Sequence, residues 1–372
     1  MAFLIDFGAI KSGGGAQLAF NFLKQLDEKD IDVSDVCLLL PSEGPLSKEK
    51  FGNKYASIIY SPSNYFKRII FENITLYRFI RKMNIKKIYT FFGSGLPHPV
   101  YVQSIVSVAY PIICYPDSPY WKYLALIPKY KKLLINNFRR ARLRKASHII
   151  AETEVMKARL SREIPYDIDN ISVIPPAPSG FLQDIDYDFS TTRNTYLFLS
   201  GTDPHKNIWR LYAVAEELER KGFLDFTFII TVNKDNYMAS LNESNIDESI
   251  IDKHFKFLGT VHPSEIQTVY QQSDFLVLLT DLESFSNNYM ESWKAGVPMI
   301  VSDRDFARHI CQDSAIYVEP HDINDVCEKI ISVSGDSDIK RNLVESGKRR
   351  LSTLKSTEER FDEIWVNIIK AD

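Results

Sequence analysis

Two glutamates flank a short polar stretch in the second half of the chain and could bind a polyhydroxylated ligand. Glu283 and Glu291 are separated by seven residues, and an apolar strand-like segment precedes them. Serine and asparagine at 286–288 favour the N-terminal cap of a helix, and the glycine and proline within 296–298 would end it. A helix N-terminus carries roughly half a positive charge, which suits a phosphate group. For either glutamate alone, a helix cap or a solvated side chain is the better explanation.

A lysine that follows another apolar segment could neutralise such a phosphate. In the segment SGTDPHKNIWRL (200–211), Gly201 ends a predicted strand and Lys206 stands at the start of the next helix, with Asn207 as a cap. A lysine at this place is unfavourable against the helix dipole unless an anion is nearby. A ligand phosphate would be such an anion, and a solvated surface lysine is the alternative.

Two glycine segments could bring the backbone close to a ligand. Gly14 and Gly15 belong to a run of three glycines before a predicted helix, where amide groups would suit an anion. The run matches neither the P-loop nor the dinucleotide-binding motif, so an ordinary turn is the alternative. Gly259, two residues before Val261, ends a short predicted strand and would let the backbone lie flat against a planar base.

The composition is that of an ordinary globular protein. The chain has 372 residues, enough for about two domains, and 45% of them are hydrophobic. A net charge of -3 argues against a general polyanion-binding protein. The four cysteines form no CxxC pair, so we predict neither a disulfide framework nor a zinc site. We also expect neither a signal peptide nor a membrane-spanning segment.

Apolar segments of strand length alternate with helical periodicity twice along the chain. This pattern predicts an α/β protein with two Rossmann-like, doubly wound parallel-sheet domains that face across a cleft. A break rich in Pro, Asp, Ser and Thr at 173–194 suggests an N-terminal domain at 1–178 and a C-terminal domain at 183–354. An amphipathic helix within 355–372 has no strand partner in the second domain, so we expect it to pack on the first.

The strands that this pattern predicts end next to the polar residues described above. Ligands of doubly wound proteins bind at the carboxyl ends of the strands. The predicted strands are 2–7, 35–40, 86–92, 111–115 and 148–153 in the first domain, and 195–201, 226–232, 256–259, 274–280, 297–302 and 315–320 in the second.

Taken together and in this order, these segments resemble the retaining family-4 glycosyltransferases of the bacterial polysaccharide-biosynthesis type, which have the GT-B fold. The resemblance covers almost the whole chain. It rests on ESFSNNYME (283–291) followed by SWKAGVPMIVSD, on SGTDPHKN, on FLGTV and on the N-terminal glycines. The two spaced glutamates are a weak signal by themselves, but the complete series is specific.

The resemblance implies a role for each of these residues. Lys206 would bind the donor diphosphate, Glu291 the nucleotide ribose, and Glu283 the donor sugar near the reacting centre. Gly14 and Gly15 would close over the diphosphate from the first domain. Backbone amides of 285–288 would hold the sugar and phosphate. The remaining implied donor-site residues are Thr202, Gly259, Val261, Phe285, Ser286, Asn287 and Asn288.

The chain departs from the family pattern at three places. Family members often have Gly-Arg where this chain has Gly201-Thr202, so a second cationic phosphate ligand is missing or supplied elsewhere. A Gly-Phe-Gly bend is replaced by Ser-Phe-Ser at 284–286, where we expect donor preference to be set. Asp117 follows a first-domain strand without the usual histidine, which makes it an acceptor-side catalytic candidate.

Sugar transfer requires a diphosphate leaving group to depart. Lys206 and backbone amides would stabilise the charge that grows on its oxygens. The resemblance implies an α-linked product, formed by same-face attack or through a covalent intermediate. We expect no cofactor and no metal, because the Asp-x-Asp patterns within 184–188 and 303–305 are interpreted as structural.

A basic segment predicts contact with a membrane. Lys122–Lys145 contains nine Lys and Arg residues and no acidic residue, with aromatic side chains interleaved. In a chain of slightly negative charge, such a segment suits an anionic membrane surface, and a solvated helix face is the alternative. We expect no nucleic-acid partner, because no binding motif accompanies the charge. The predicted location is the cytoplasm, peripheral to the inner face of a bacterial plasma membrane.

The leading hypothesis is a retaining glycosyltransferase of surface polysaccharide or O-antigen biosynthesis. It would move a sugar from a nucleotide-sugar donor to a lipid-linked saccharide acceptor. A non-catalytic GT-B partner subunit is an alternative that would bind nucleotide without turnover. A sugar-nucleotide epimerase is a third possibility, disfavoured by the spacing of the two glutamates.

Overall fold

The computed structural model of the protein describes residues 2–10, 13–178, 182–183, 193–241 and 246–369. The chain divides into two compact units. Unit 1 comprises Met1–Pro116, Leu126–Ala177 and Lys355–Asp372, and unit 2 comprises Asp117–Ala125 and Pro178–Leu354.

Each unit contains one sheet, and every strand pairing in it is parallel. The strands of unit 1 are β1 (Phe3–Asp6), β2 (Val36–Pro41), β3 (Ser57–Ser61), β4 (Lys87–Thr90), β5 (Gln103–Val108), β6 (His148–Ala151) and β7 (Ile171–Val173). Those of unit 2 are β8 (Thr195–Phe198), β9 (Thr227–Ile230), β10 (Phe255–Phe257), β11 (Phe275–Leu278), β12 (Met299–Ser302) and β13 (Ala315–Val318). The strand orders are β3-β2-β1-β4-β5-β6-β7 and β10-β9-β8-β11-β12-β13.

The α-helices alternate with the strands. They are α1 (Gly13–Glu28), α2 (Tyr65–Ile70), α3 (Tyr77–Lys82), α4 (Leu126–Leu143), α5 (Glu154–Glu163), α6 (Arg210–Arg220), α7 (Lys234–Ser240), α8 (Glu248–His254), α9 (Ile266–Gln271), α10 (Asn287–Ala295), α11 (Asp305–Cys311), α12 (Ile323–Val333), α13 (Ser337–Ser352) and α14 (Thr357–Ile364). Across the described ranges, no helix combines the length and apolar character that crossing a bilayer requires.

Alternate residues of β1 pack into different cores. Phe3 and Ile5 belong to a core that includes α1 and the C-terminal helix, whereas Leu4 packs with Leu76 and Ile80 on the other side of the sheet. A strand that is buried on both faces reads as a continuous apolar run. This is why the sequence predicted a doubly wound α/β arrangement, and the two parallel sheets confirm that fold class.

The six strands predicted in the second half of the chain are all present, whereas one prediction in the first half is wrong. Residues 111–115 do not form a strand, because Pro111 begins a 3-10 turn that ends at Ile113. The strand between β4 and β6 in the sheet is β5, which was not predicted because its serines interrupt the apolar pattern. Both Ser104 and Ser107 are buried, and the Ser107 hydroxyl lies 2.8 Å from that of Tyr89.

The division of the chain differs from the predicted domains at one segment. Asp117–Ala125 was predicted within the N-terminal domain but belongs to unit 2. Ser118 donates to the backbone oxygen of Asp281 at 3.1 Å, and the Tyr123 hydroxyl lies 2.5 Å from His321. These polar contacts join the segment to the unit 2 loops. Most of the predicted linker, at 179–181 and 184–192, lies outside the described residues.

The C-terminal helix packs in the core of unit 1. Phe361 and Trp365 are buried, and the Phe361 ring centroid lies 5.0 Å from that of Phe22 on α1. Arg360, also buried, donates to the backbone oxygen of Pro175 at 2.9 Å. The chain therefore passes through unit 2 and returns to complete the first core.

Candidate functional site

Lys206 and Glu283 meet at one edge of the unit 2 sheet. They follow β8 and β11, which are neighbouring parallel strands, so the loops after them leave the sheet at the same edge. The Lys206 ammonium pairs with Oε1 of Glu283. The two side chains are only 22% and 13% exposed, respectively. Glu283 is therefore the anion that offsets Lys206 in this structure, and it does not cap its own helix.

Helix α10 begins immediately beyond Glu283, as the sequence predicted. Ser286 occupies the N-cap position, but its hydroxyl makes no capping hydrogen bond. Asn288 donates from Nδ2 to the backbone oxygen of Leu199 at 2.7 Å, which fixes the first turn of the helix against the end of β8. Gly296 ends the helix at a φ of 66°, a left-handed conformation that favours glycine. The first two amides of α10, at Asn287 and Asn288, thus lie four and five residues from Glu283 along the chain.

A buried carboxylate joins the loops on either side of this pair. Asp281 is 1% exposed and accepts hydrogen bonds from Nδ2 of Asn207 at 2.7 Å, Nε2 of His321 at 2.8 Å and Nη2 of Arg304 at 3.0 Å. Burial alone would raise the pKa of Asp281, but the bonds from His321, Asn207 and Arg304 hold that pKa below its ordinary value. Asp281 is thereby kept ionised at neutral pH.

Asn207 does not cap the start of the following helix, contrary to the sequence prediction, but ends the 3-10 turn Pro204–Lys206. It is fully buried with a φ of 57°, and α6 begins only at Arg210. Its Nδ2 also donates to the backbone oxygen of Leu279 at 2.8 Å. An asparagine tolerates this left-handed conformation better than most residues. It ties the residue after Lys206 to the strand end before Glu283.

An outer ring of side chains holds the donors of Asp281 in place. Nδ1 of His321 accepts from Nη2 of Arg210 at 2.7 Å and lies 2.5 Å from the Tyr123 hydroxyl. An Nδ1 that accepts from arginine leaves the ring proton on Nε2, where it is donated to Asp281. Arg304 forms a bidentate pair with Glu319, at 2.8 and 2.9 Å. These outer side chains thus fix the tautomer of His321 and the orientation of His321 and Arg304 toward Asp281.

Sequence reasoning missed Asp281, His321 and Arg304. Each comes two or three residues after a strand of the same sheet, which was the available signal. Arg304 lies inside one of the two Asp-x-Asp patterns. The first aspartate of that pattern, Asp303, accepts from Nη2 of Arg308 at 2.6 Å, and the second, Asp305, begins α11. The other pattern, within 184–188, lies outside the described residues.

Glu291 lies on the second turn of α10 and is largely buried. The Tyr270 hydroxyl donates to its Oε2 at 3.4 Å, a long hydrogen bond. Burial raises the pKa of Glu291, and the bond from Tyr270 offsets this only in part. A buried carboxylate with so little compensation is costly, and such groups are enriched at ligand sites.

The other predicted donor residues vary in their surroundings. Gly259 has a φ of 70° with open space where a Cβ would lie, so its conformation alone explains the glycine. Thr202 is exposed, and Val261 and Phe285 are half-buried. Asp117 is exposed on the unit 2 segment. Their contacts with a donor or acceptor stay predictions.

The N-terminal glycines do not form the predicted loop before a helix. They make the first turn of α1, which begins at Gly13. A Cβ on Gly15 would meet Phe92 at 3.8 Å and Ile10 at 3.9 Å, which is ordinary van der Waals contact. The apolar periodicity that predicts α1 begins only after the glycines, so the predicted helix start lies later than the observed one at Gly13. The role of Gly14 and Gly15 over a diphosphate stays a prediction.

Two family models match the chain. The model "Glycosyltransferase Family 4" matches residues 12–177, and "Glycosyl transferases group 1" matches residues 183–350. Among solved structures, sucrose-phosphate synthase from Thermosynechococcus elongatus superposes with a TM-score of 0.73 at 13% identity, covering 100% of both chains. The parallel sheets and this similarity define a protein of the GT-B fold class. The chain belongs to the family-4 glycosyltransferases.

Curated relatives match part of the chain. The O-antigen chain mannosyltransferase RfbU of Salmonella typhimurium is 26% identical over 183 residues, which are 48% of this chain and 49% of that protein. The alpha-monoglucosyldiacylglycerol synthase of Streptococcus pneumoniae is 28% identical over 137 residues, 35% of this chain and 29% of that protein. The chain therefore spans half or less of the length of these two relatives.

The raised pKa of Glu291 predicts that this carboxylate lowers the folding stability of the protein without ligand. The unfolded carboxyl ionises near its ordinary pKa of 4.5, whereas the folded one resists ionisation. The resulting cost to folding is present at pH 7 and absent below the ordinary pKa. We expect Glu291→Gln to raise the melting temperature at pH 7 by roughly 2–4 °C, with no gain at pH 4.

Scanning calorimetry at the two pH values checks this expectation. Glu283→Gln is the matched control, because it removes a partner from Lys206 and should not stabilise the protein. A Glu291→Gln variant that melts below the wild type at pH 7 would contradict a costly buried charge.

Proposed function

We propose that this protein is a retaining glycosyltransferase that moves a sugar from a nucleotide-sugar donor to a lipid-linked saccharide acceptor. The observation that carries the proposal is the pairing of Lys206 with Glu283 beside the N-terminus of α10. A cation, a carboxylate and helix amides within one small region are the groups that a diphosphate and a sugar need.

In the proposed donor complex, the diphosphate replaces Glu283 as the partner of Lys206. Two phosphates carry more negative charge than one carboxylate, so the ammonium turns to them. Glu283 is then free to accept hydrogen bonds from the donor sugar. Glu291 accepts from the ribose diol, whose hydroxyls replace the long bond from Tyr270. The contact with the ribose thus compensates a charge on Glu291 that the free protein satisfies only in part.

The proposed chemistry is electrostatic. As the bond between sugar and diphosphate breaks, charge grows on the leaving oxygens, and Lys206 with the α10 amides stabilises it. Asp281 stays ionised and buried, so it serves to hold the loops and takes no proton. We propose that no metal takes part.

The names of the relatives support the acceptor class. One relative is a mannosyltransferase of the O-antigen chain, and the other is a synthase whose name includes an alpha-glucosylated diacylglycerol. We therefore propose a product with an α-linkage and an acceptor that carries a lipid, in surface polysaccharide biosynthesis.

Lys206→Ala should abolish most transfer, because one preorganised donor at a developing charge is worth about 100-fold or more in rate. Release of nucleoside diphosphate from UDP- and GDP-sugars, in the presence of bacterial membrane extract as the acceptor source, measures the effect. Lys256→Ala is the control, since Lys256 is an exposed lysine in the middle of β10. Full turnover in Lys206→Ala would refute the site, and nucleotide binding without any turnover in the wild type would favour a non-catalytic protein.

The proposed membrane contact rests on α4 of unit 1. Leu126, Ile127, Tyr130 and Leu134 of α4 are 66–83% exposed, and the helix contains six Lys and Arg residues with no acidic one. Apolar side chains interleaved with cations suit an anionic lipid surface. Only the part of the predicted segment Lys122–Lys145 from Leu126 onward contributes to this surface, because the residues before it belong to unit 2.

Helix α2 extends the same apolar surface. Its residue Tyr65 and Phe138 of α4 line one cavity, so the two helices are neighbours. Phe66 and Ile70 of α2 are 75% and 61% exposed. We propose that these two helices seat the protein at the inner face of the plasma membrane.

Replacing Ile127 and Leu134 together by serine should weaken binding to anionic vesicles about tenfold or more, since two apolar side chains lose their burial in lipid. Sedimentation with phosphatidylcholine vesicles, with and without phosphatidylglycerol, measures this binding. Leu224→Ser is a matched control, because Leu224 is 55% exposed in unit 2. Equal binding by the double variant and the wild type would exclude α4 as the membrane surface.

A further inference from the structure

A second cavity lies in unit 2 beside the loop that carries Lys206. Its volume is about 510 Å³, which is large enough for one or two sugar rings. Thr202 and Trp209 line it from that loop, Tyr123 from the segment Asp117–Ala125, and Asn236 and Ser240 from α7. Lys206, Glu283 and Glu291 are not among the described residues that line it, so the cavity adjoins the candidate donor site and shares with it only Thr202 of the described lining residues.

The lining favours a neutral ligand that is both polar and apolar. None of the described lining residues carries a charged side chain, so the described lining itself supplies no counter-ion for a phosphate. Hydroxyl and amide groups can both donate and accept hydrogen bonds, as sugar hydroxyls do. The flat faces of Tyr123 and Trp209 offer surface to the C–H face of a sugar ring.

The two aromatic walls are held rigidly from behind. The Tyr123 ring stacks on His321 with centroids 5.6 Å apart and an interplanar angle of 9°, and Arg210 donates to its hydroxyl at 2.9 Å. The same Arg210 guanidinium lies 4.2 Å from the Trp209 ring centroid. Because His321 is itself bonded to Asp281, the walls are part of the network that holds the donor loops. Rigid walls lower the entropic cost of binding.

We propose that this cavity is a subsite for a neutral saccharide unit of the acceptor. Thr202 and Trp209 flank Lys206 in the chain, so one loop carries the proposed phosphate ligand and lines this cavity. Assignment to the acceptor rests on the proposed function, whereas saccharide binding itself does not. A nucleobase could also stack on these rings, and the experiment separates the two ligands.

Saturation-transfer NMR on the full chain tests the subsite with methyl α-mannoside, methyl α-glucoside, maltose and mannobiose as probes. UDP and GDP binding are measured in parallel by calorimetry. We expect saturation of sugar ring protons in the wild type, at least a fivefold loss in Trp209→Ala, and retention in Trp209→Phe, which keeps a flat ring. Nucleotide affinity should change by less than twofold in both variants.

Two further variants keep the test independent of folding. Ala239→Phe adds bulk to the cavity from an exposed lining position on α7, and it should block saccharide binding even if Trp209→Ala unfolds. Tyr60→Ala, which removes a tyrosine that is 47% exposed in unit 1, should leave binding intact.

Three results would overturn the subsite. The first is the absence of saccharide binding to the wild type. The second is saccharide binding that neither Trp209→Ala nor Ala239→Phe changes. The third is a loss of nucleotide binding in Trp209→Ala that parallels the loss of saccharide binding, which would make the cavity a nucleoside site. If Lys206→Ala keeps full turnover while saccharide binding still depends on Trp209, the donor site fails and the subsite stands.

Discussion

The candidate site depends on a single buried carboxylate. Asp281 accepts side-chain hydrogen bonds from the loops after β8, β12 and β13 and itself follows β11, so it joins the ends of four neighbouring strands. A buried charge is tolerable only when it is fully paired, and removing one partner from a buried pair typically costs about 3–5 kcal/mol. The four loops therefore keep one arrangement. Lys206 lies next to Asn207, and Glu283 lies two residues beyond Asp281.

The charges of Asp281 and Arg304 are well compensated by neighbouring side chains, whereas the charge of Glu291 is compensated poorly. Asp281 has three side-chain donors, and Arg304 pairs with Glu319. Glu291, by contrast, has one long bond from Tyr270 and a raised pKa. Lys206 and Glu283 satisfy each other only as a pair. Local costs of this kind are expected where a ligand completes the structure. The proposed donor supplies an anion for Lys206 and hydroxyl groups for both glutamates.

Much of unit 2 could be predicted because its signals are local. Each of its strands is a short apolar run with polar residues after it, and α10 has cap-type residues at its start and a left-handed glycine at its end. Contacts that depend on tertiary structure could not be predicted. Asn207 was predicted to cap a helix because its hydrogen bond to Asp281, 74 residues away, leaves no local signal in the sequence. His321 gave no sign that it faces a carboxylate 40 residues earlier.

The misread elements of unit 1 have the same origin. The serines of β5 are polar in the sequence but buried in the sheet, where the Ser107 hydroxyl bonds with that of Tyr89, so the strand lacked an apolar signature. The apolar run at 111–115 looked like a strand, yet Pro111 fits the first position of a 3-10 turn. Asp117–Ala125 follows that turn and belongs to unit 2, where Ser118 and Tyr123 make contacts that no local pattern encodes.

The most direct test of the account asks whether Asp281 acts through Lys206. Calorimetry would measure the affinity of UDP and GDP for Asp281→Asn, Lys206→Ala and the double variant, with whichever nucleotide binds the wild type. Asparagine keeps the shape of Asp281, but its amide donates toward groups that also donate. We predict that Asp281→Asn weakens binding about tenfold in the wild type and less than about twofold when Lys206 is already absent. Equal losses in the two backgrounds would contradict the claim that the buried carboxylate positions the phosphate-binding lysine.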